Sequence, residues 1–485
     1  MYPSAKIILT VLLLVAATTV LAAGSGKHAD PIAPVILGVT GILFFAVLGR
    51  FGARKLGQPS VLGELLMGVI LGTIGYLFSV DFLLVLREGP AIFEMVDLAL
   101  SGATIEQAAI STLGEENAVI ILNILQGPGG AELTQIAHAV DVFSRYGVIF
   151  LLFLVGLGTS VREMQEVGTE SFRVAILGVI LPFFFGFMMA RVLMPELSIS
   201  VDLFVAATLG ATSIGITARV LEELGKVNCH ECRVILGAAV IDDVLGLVML
   251  AIVSGIIISG GFEPVGTLQT IALAALFLVT AFTLGPRFLR RAIGLLDHLD
   301  IVEAKMFVSF LFVMVLAWFA NLVGLATIVG AFAAGVILHD GYFLKWGDIR
   351  EHKFSIRDLI SPLEVILVPI FFVLMGIQVK LETFLDPHVI VMGFGLIVAA
   401  VIGKLLSGLG ASRGSSRLAI GMGMVPRGEV GLIFASIGKS LGVFSDALFS
   451  ALILMVIVTT LMTPPLLKIC LNRIADRREE QSTTP

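Results

Sequence analysis

The segment Val240-Ile-Asp-Asp-Val-Leu-Gly246 places two adjacent aspartates inside an apolar stretch, residues 232–258, that is long enough to cross a lipid bilayer as a helix. Asp242 follows Arg233 by nine residues, which is about 14 Å along a helix and therefore near the middle of the bilayer. Because charge is costly at that depth, intramembrane acids are candidates for function. Asp242 and Asp243 would titrate as a coupled pair that holds either protons or a cation. The alternative is that one of them caps a neighbouring broken helix.

The composition of the 485-residue chain is that of a membrane protein. Hydrophobic residues make up 57%, charged residues 14%, and the mean hydropathy is +1.04. Soluble domains carry about 25% charged residues, and nucleic-acid-binding domains are basic, whereas the pI here is about 5.7. These values exclude a soluble enzyme, a disordered chain and a nucleic-acid binder. We predict an all-α polytopic membrane protein.

Thirteen apolar segments are predicted to cross the membrane as helices. They lie near residues 33–53, 60–79, 138–158, 172–194, 202–222, 232–258, 266–288, 303–323, 325–339, 361–379, 389–410, 415–438 and 446–470. Residues 1–24 precede them and have the basic start, apolar centre and small-residue end of a cleavable signal peptide. An uncleaved extra helix is the alternative.

Lysine and arginine residues are concentrated in alternate connecting segments, which the positive-inside rule places in the cytoplasm. The tail at residues 471–485 is among them, so we expect a cytoplasmic C-terminus and a mature N-terminus outside a bacterial inner membrane. The long segment at residues 80–137 would then lie outside. It is strongly acidic and could concentrate cations, or it could simply be a solvated cap.

Lys404 is a second ionisable residue at membrane depth. It lies fifteen residues past Val389, too deep for easy contact with either interface. A buried lysine needs an anion to stay charged, and Asp242 or Asp243 is the obvious partner. The alternative is that its side chain extends to the inner interface.

Two of the predicted spans carry signs of an interrupted helix. Residues 210–219 combine small residues with hydroxyls, Thr212 and Ser213 among them, which suits either a broken helix facing a cavity or close helix packing. Pro426 removes a backbone donor in the middle of another span. Interrupted helices in corresponding positions of opposite halves indicate a transporter built from two inverted repeats.

The interruption at the second span leaves two charged residues, Arg427 and Glu429, available for buried pairing. Arg219 and Glu222, which flank the other interrupted segment, are plausible partners. Because buried ions are usually paired, we expect these four residues to form a structural charge network rather than to bind the ion directly.

Cys229, Cys232 and Cys470 are too few for a disulfide framework. Cys229-His-Glu-Cys232 is half of a zinc-site pattern, without a second pair of ligands to close it. We therefore expect a loop with reduced thiols and no bound metal at this position.

Together these polar residues resemble the monovalent cation:proton antiporter superfamily, specifically its second branch (CPA2), which includes NapA-type sodium/proton antiporters and the membrane part of Kef-type potassium systems. The resemblance covers nearly all of residues 33–470. Its specific part is the combination of Asp242-Asp243, Thr212-Ser213, Lys404 and Pro426-Arg-Gly-Glu429. Its less specific packing motifs are Leu62-Gly-Glu-Leu-Leu-Met-Gly-Val-Ile-Leu-Gly72, Phe150-Leu-Leu-Phe-Leu-Val-Gly156, Ile328-Val-Gly-Ala-Phe-Ala-Ala-Gly335 and Phe371-Phe-Val-Leu-Met-Gly376.

The resemblance implies thirteen helices in two inverted repeats, with two crossing discontinuous helices, assembled as a homodimer. Residues 33–194 and 303–379 would supply mainly dimerisation and scaffold helices. Residues 172–258 and 389–470 would form the core that moves the ion. The long outer segment at 80–137 departs from the compact family pattern.

The resemblance also implies roles for individual residues. Asp243 would be the main ligand of the transported Na⁺. Asp242 would form a salt bridge with Lys404 and release it as ions exchange. Thr212 and Ser213 would lie beside the ion at the helix break.

The expected activity is secondary transport, not enzymatic catalysis: Na⁺, or else Li⁺ or K⁺, exchanged for H⁺ by alternating access. A paired Asp-Asp resembles the electrogenic members of the family. The alternative is a K⁺/H⁺ antiporter or a Kef-like K⁺ efflux system, although we expect no nucleotide-binding domain of the Kef type. An intramembrane aspartyl protease is disfavoured because its two aspartates would face each other from different helices. We expect no cofactor, and no partners other than the transported ions, the bilayer and a second copy.

Overall fold

The computed structural model describes residues 32–58, 60–100, 104–113, 115–158, 168–212, 217, 221, 229–258, 264–295, 300–323, 325, 327–346 and 354–483. All regular elements in these ranges are helices. The predicted leader at residues 1–24 lies outside them, as do Ser213, Arg219 and Glu222.

The α-helices are numbered in chain order through the described ranges. They are α1 Ala33–Lys55, α2 Ser60–Phe78, α3 Asp81–Arg87, α4 Gly89–Leu100, α5 Ile105–Leu113, α6 Glu115–Gln126, α7 Gly130–Gly158, α8 Thr169–Leu193, α9 Ile199–Gly210, α10 His230–Ile258, α11 Pro264–Leu295, α12 Ile301–Leu322, α13 Thr327–Ile337, α14 Ile356–Ile377, α15 Pro387–Ser407, α16 Arg417–Gly423, α17 Glu429–Ser440 and α18 Asp446–Thr483. Short 3₁₀ turns are Asp340–Trp346, Leu381–Leu385 and Gly408–Gly410.

Among the described residues, eight helices are long and apolar enough to cross a membrane, judged by length and composition. They are α1, α2, α7, α8, α12, α14, α15 and α18. Shorter apolar helices include α9, α13 and most of α17. The chain is therefore a multi-pass membrane protein, and its regular elements are helices throughout the described ranges. The predicted outer segment at 80–137 contains the short helices α3 to α6 and the start of α7.

The chain divides into two compact units. The first contains residues 1–147 and 366–380. In it, α2 packs against the end of α14 through Gly68 and Gly376, where a Cβ on either residue would overlap the backbone of the opposite helix. Small residues thus permit the close helix contact that membrane proteins favour.

Two ion pairs hold charged side chains inside the first unit. Glu64 is buried on α2, and its Oε1 lies 2.6 Å from Nε of Arg50 on α1. Buried Lys380 reaches Oε1 of Glu88 at 2.5 Å. Glu64 is an intramembrane acid that the sequence patterns did not single out, because it sits in a glycine-rich packing motif.

The second unit contains residues 148–365 and 381–485. Here α8 packs against α9, α10 and α15, and α15 packs against α18. At Gly403 the two helices α8 and α15 approach so closely that a Cβ would overlap the backbone of Pro182. That contact positions the neighbouring residue, Lys404, which is fully buried.

Both predicted interruptions coincide with helix ends in the second unit. Helix α9 stops at Gly210, and Ala211 is extended, with φ −61° and ψ 139°. Helix α16 stops at Gly423 and α17 begins at Glu429, so the buried residues between them are not helical. Pro426 lies in this gap, where its missing N–H costs no helical hydrogen bond.

The expectation of reduced thiols at the half zinc motif is wrong in this structure. Cys229 and Cys232 are joined by a disulfide, with their Cα atoms 5.1 Å apart, while Cys470 is free. The three-residue spacing at the first turn of α10 brings the two side chains to the same side of the helix, within disulfide range.

Candidate functional site

The second unit contains a buried ion pair between Asp242 on α10 and Lys404 on α15. Nζ of Lys404 donates to Oδ1 of Asp242 at 2.8 Å and to Oδ2 at 3.0 Å. Both side chains are fully buried, with 0% of their surface exposed. Each charge is therefore removed from water and compensated by the other.

Gly178 on α8 borders this ion pair. A Cβ at this position would lie 3.2 Å from Oδ1 of Asp242 and 3.5 Å from Nζ of Lys404. Pro182 lies four residues further along the same helix and has no N–H, so the carbonyl of Gly178 lacks its usual helical donor. The surface of α8 next to the ion pair is therefore formed by backbone atoms without a side chain. It includes the carbonyl of Gly178, which accepts no hydrogen bond from the backbone N–H four residues later.

Arg427 lies in the gap between α16 and α17 and is fully buried. Its Nη2 donates to the carbonyls of Leu209 at 2.6 Å and Ala400 at 3.4 Å. Its Nη1 donates to the carbonyls of Met424 at 3.3 Å and Val425 at 3.1 Å. One guanidinium thus binds carbonyls at the end of α9, within α15 and just after α16.

Three threonines line the same region. The Thr212 hydroxyl, just beyond the end of α9, is buried and has no hydrogen-bond partner within the described part of the chain. Thr217 donates to the carbonyl of Gly423 at 2.7 Å, and Thr460 donates to the carbonyl of Arg427 at 2.5 Å. Thr212 therefore offers, as far as the described residues show, an oxygen beside a helix break that a cation could use as a ligand.

The structure leaves several predicted site residues without a described side chain. Asp243 and Glu429 belong to α10 and α17, but their side chains lie outside the described part of the structure. Ser213, Arg219 and Glu222 lie wholly outside it. The partners proposed for Arg427 thus remain a prediction, while its described partners are backbone carbonyls.

A second buried acid in this unit was missed by the sequence patterns. Asp202 is fully buried in the first turn of α9 and forms an ion pair with Arg191 in the last turn of α8. Arg191 also donates to the carbonyls of Pro195 and Leu197. The predicted span begins at Asp202, whereas α9 begins at Ile199. An acid at the very end of an apolar span is the signal in the sequence that could have identified it.

The chemistry open to this arrangement follows from charge balance. The Asp242–Lys404 pair is neutral as a whole, so adding a cation would leave a net charge in a buried site, which is costly. If the buried site that contains Asp242 and Lys404 loses one proton when the cation enters, the site becomes neutral again. Among the described residues, no group of three or more His, Cys, Asp or Glu side chains could hold a tightly bound metal.

Comparisons with known proteins agree with this chemistry. The family described as "Sodium/hydrogen exchanger, transmembrane" matches residues 40–473. The high-affinity Na⁺/H⁺ antiporter NhaS3 of Synechocystis sp. is 34% identical over 90% of this chain and 90% of its own length. The Na⁺/H⁺-K⁺ antiporter GerN of Bacillus cereus is 32% identical over 72% of this chain and 88% of its own.

A solved structure shares the fold. The sodium proton antiporter MjNhaP1 of Methanocaldococcus jannaschii superposes with a TM-score of 0.58 at 18% sequence identity. The match covers 90% of this chain and 96% of that one. At this identity the likeness concerns the arrangement of the helices.

Proposed function

Because the chain belongs to the family of transmembrane sodium/hydrogen exchangers, we propose that it is a secondary transporter that exchanges Na⁺ for H⁺ by alternating access. The activity is transport and not enzymatic catalysis. The observation that carries the proposal is the fully buried Asp242–Lys404 pair. A neutral buried pair accepts a cation only when a proton leaves, and this exclusion is the basis of coupled exchange.

The proposed ion site lies at the end of α9, close to this pair. Both Asp242 oxygens accept from Lys404, so we assign the role of main Na⁺ ligand to the adjacent acid, Asp243. The hydroxyl of Thr212, which has no partner among the described residues, would supply a further oxygen, together with Ser213. When Lys404 releases Asp242, that carboxylate would become available to the proton or to the ion. Arg427 would hold the helix ends and stay out of the coordination.

The proposed architecture has thirteen crossings in two inverted repeats, with α9 and the α16–α17 segment as the crossing discontinuous helices. The two interruptions and the carbonyls that Arg427 joins support this arrangement. Residues 172–258 and 389–470 would form the moving core, and 33–194 and 303–379 mainly the scaffold of a homodimer. The proposed location is a bacterial inner membrane with the C-terminus in the cytoplasm.

The transported ion has a second candidate. The Bacillus cereus relative carries K⁺ as well as Na⁺ in its name, and both ions take oxygen ligands of the kind assembled here. An exchange of K⁺ for H⁺ by the same groups is therefore the competing proposal. A Kef-like K⁺ efflux system would not require strict coupling to protons.

Purified protein in proteoliposomes with an imposed pH gradient tests both proposals. A fluorescent pH dye should report proton movement on addition of Na⁺ that responds to the membrane potential. The Asp243→Asn variant should lose this response, because the main ligand loses its charge. Asp141→Asn is the matched control: Asp141 forms an exposed ion pair with Arg145, and its loss should leave exchange intact.

Three results of this assay would each change the proposal in a different way. Exchange at the normal rate by folded Asp243→Asn protein would contradict the ligand assignment. A response to K⁺ alone, indifferent to membrane potential, would favour an electroneutral K⁺/H⁺ exchanger. Ion flux without proton movement would overturn antiport altogether.

A further inference from the structure

The disulfide at the start of α10 is not used by the proposed exchange chemistry. Cys229 immediately precedes the helix, and Cys232 is its third residue. The backbone N–H of Cys232 donates to Sγ of Cys229 at 3.1 Å, within the first turn. The pair therefore lies on the helix that carries Asp242, ten residues or about 15 Å from that carboxylate.

The two sulfurs differ in exposure. Cys232 is fully buried among apolar side chains of α8, α10 and α16, including Val174, Ile235 and Ile420. Cys229 lies at the edge of this cluster and is partly exposed. A reagent from solution can thus reach Cys229, while Cys232 is shielded by packing.

The start of α10 is also linked to the helices around it through His230. Nε2 of His230 lies 3.2 Å from Oε2 of Glu170, at the start of α8. Oε1 of Glu170 accepts from the backbone N–H of Ser412 at 3.0 Å and from the hydroxyl of Ser415 at 2.9 Å. Ser412 and Ser415 lie just after α15, so Glu170 connects the helix of Asp242 with the chain that follows the helix of Lys404.

We propose that Cys229 and Cys232 form a reversible dithiol–disulfide site, reduced by a dithiol reductant, and that the disulfide slows ion exchange. The second half of this proposal rests on the function proposed above. In the disulfide form a covalent bond joins the residue before α10 to the third residue of the helix, which restricts the first turn. His230 lies between the two cysteines and is thereby held against Glu170. The link from His230 through Glu170 to the chain after α15 would resist any movement of α10 relative to α15 that accompanies opening of the Asp242–Lys404 pair.

The chemistry balances as thiol–disulfide exchange. A thiolate of the reductant attacks Sγ of Cys229, the disulfide bond breaks, and the sulfur of Cys232 leaves as a thiolate and takes a proton. The second thiolate of the reductant attacks the mixed disulfide and releases Cys229, which is protonated in turn. Two electrons and two protons pass to the protein, and the reductant becomes a disulfide. On the proposed cytoplasmic side a dithiol reductant can open the pair, and the oxidised, disulfide form of such a compound re-forms it by the same exchange in reverse.

The test uses purified full-length protein in proteoliposomes, oxidised with diamide or reduced with dithiothreitol. Maleimide labelling after denaturation should find one thiol, Cys470, in the oxidised protein and all three in the reduced protein. Reduction should raise the rate of Na⁺-driven proton movement by at least about twofold, a small change in barrier. Cys232→Ser should have the faster rate under both conditions.

Cys470→Ser is the matched control, since it removes the free thiol and should keep the response to reduction. A thiol count that stays at one after dithiothreitol would overturn the site. A rate that is unchanged or falls on reduction, with the count rising to three, would overturn its effect on exchange. If no ion is exchanged in either state, the proposed function fails, while the thiol count still decides whether the site is reducible.

Discussion

Asp242 and Lys404 bring opposite full charges into a region closed to water, and the geometry shows how they are accommodated. One ammonium bridges both oxygens of one carboxylate, so neither oxygen is left without a donor. A buried pair of this kind adds little net stability compared with apolar residues, but removal of one partner leaves an uncompensated charge. An unpaired Asp242 carboxylate would be strongly destabilising, so any ion that displaces Lys404 must compensate the negative charge of Asp242. The carboxylate can therefore alternate between two partners, Lys404 and the ion.

Lys404→Met tests this balance, because it removes the ammonium and keeps an unbranched side chain. The free energy of unfolding should fall by about 3–5 kcal/mol, since Asp242 is left buried and unpaired. Thermal unfolding in detergent should show this as a lower midpoint. The double variant Asp242→Asn/Lys404→Met should be more stable than Lys404→Met alone. Lys468→Met, at an exposed position on α18, should change stability by no more than about 0.5 kcal/mol.

Gly178→Ala tests whether ion exchange requires the absence of a side chain on α8 next to the Asp242–Lys404 pair. The added methyl group would lie 3.2 Å from Oδ1 of Asp242, so the carboxylate or the helix must shift by a few tenths of an ångström. We expect the rate of Na⁺-driven proton movement to fall at least about threefold, or ~0.7 kcal/mol in barrier. Gly41→Ala adds the same methyl group to α1 in open space and should exchange normally. Equal rates for the two variants would contradict this role.

At the scale of elements, the interrupted helices leave carbonyl groups without intrahelical donors. The last carbonyls of a helix carry a partial negative charge, and in a membrane no water is available to them. Arg427 donates to Leu209 near the end of α9 and to Met424 and Val425 after α16, so a single cation serves both helix ends. The same contacts hold the two broken segments side by side.

Arg427→Gln should therefore destabilise the fold rather than merely change ion affinity. A glutamine side chain is too short and has too few donors to reach all three elements, so several buried carbonyls lose their partners at about 1–3 kcal/mol each. The thermal unfolding midpoint in detergent should fall by several degrees. Arg145→Gln is the matched control, since Arg145 is exposed and pairs with Asp141 one turn away. If the Arg427→Gln protein is as stable as the Arg145→Gln protein, Arg427 does not stabilise the fold by binding these carbonyls.

At the scale of the whole molecule, the distribution of charged and apolar residues determines which surfaces contact lipid and which loops face the cytoplasm. Large apolar side chains such as Phe51, Phe307 and Trp318 are exposed on the outside of the helices, where lipid would cover them. Lysine and arginine concentrate in alternate connecting segments. These two patterns together predict which loops face the cytoplasm.

Single cysteines introduced into a variant with its three native cysteines replaced by serine test this orientation. Gln107→Cys lies at an exposed position in the acidic segment, and Arg413→Cys lies at an exposed position between α15 and α16. A membrane-impermeant maleimide should label Gln107→Cys in intact cells. It should label Arg413→Cys only after the membrane is permeabilised. The reverse pattern would invert the proposed topology.

Much of the fold and part of the site could be predicted without coordinates, because they depend on local properties. Hydropathy over about 20 residues identifies the helices, and a proline inside a span marks an interruption at Pro426. Charged residues in apolar segments single out Asp242, Lys404 and Arg427 as unusual. None of these inferences needs to know which helices are neighbours.

Only the tertiary structure decided how these residues are partnered. Asp242 and Lys404 are 162 residues apart and meet because α10 and α15 both pack against α8. The sequence predicts charged partners for Arg427, yet its described partners are carbonyls of α9, of α15 and of the gap after α16. Gly178 belongs to the site solely because its helix passes beside the pair. The physical reason is that hydropathy and helix breaking act within a few residues of the chain, whereas contacts follow from which helices cross and at what point.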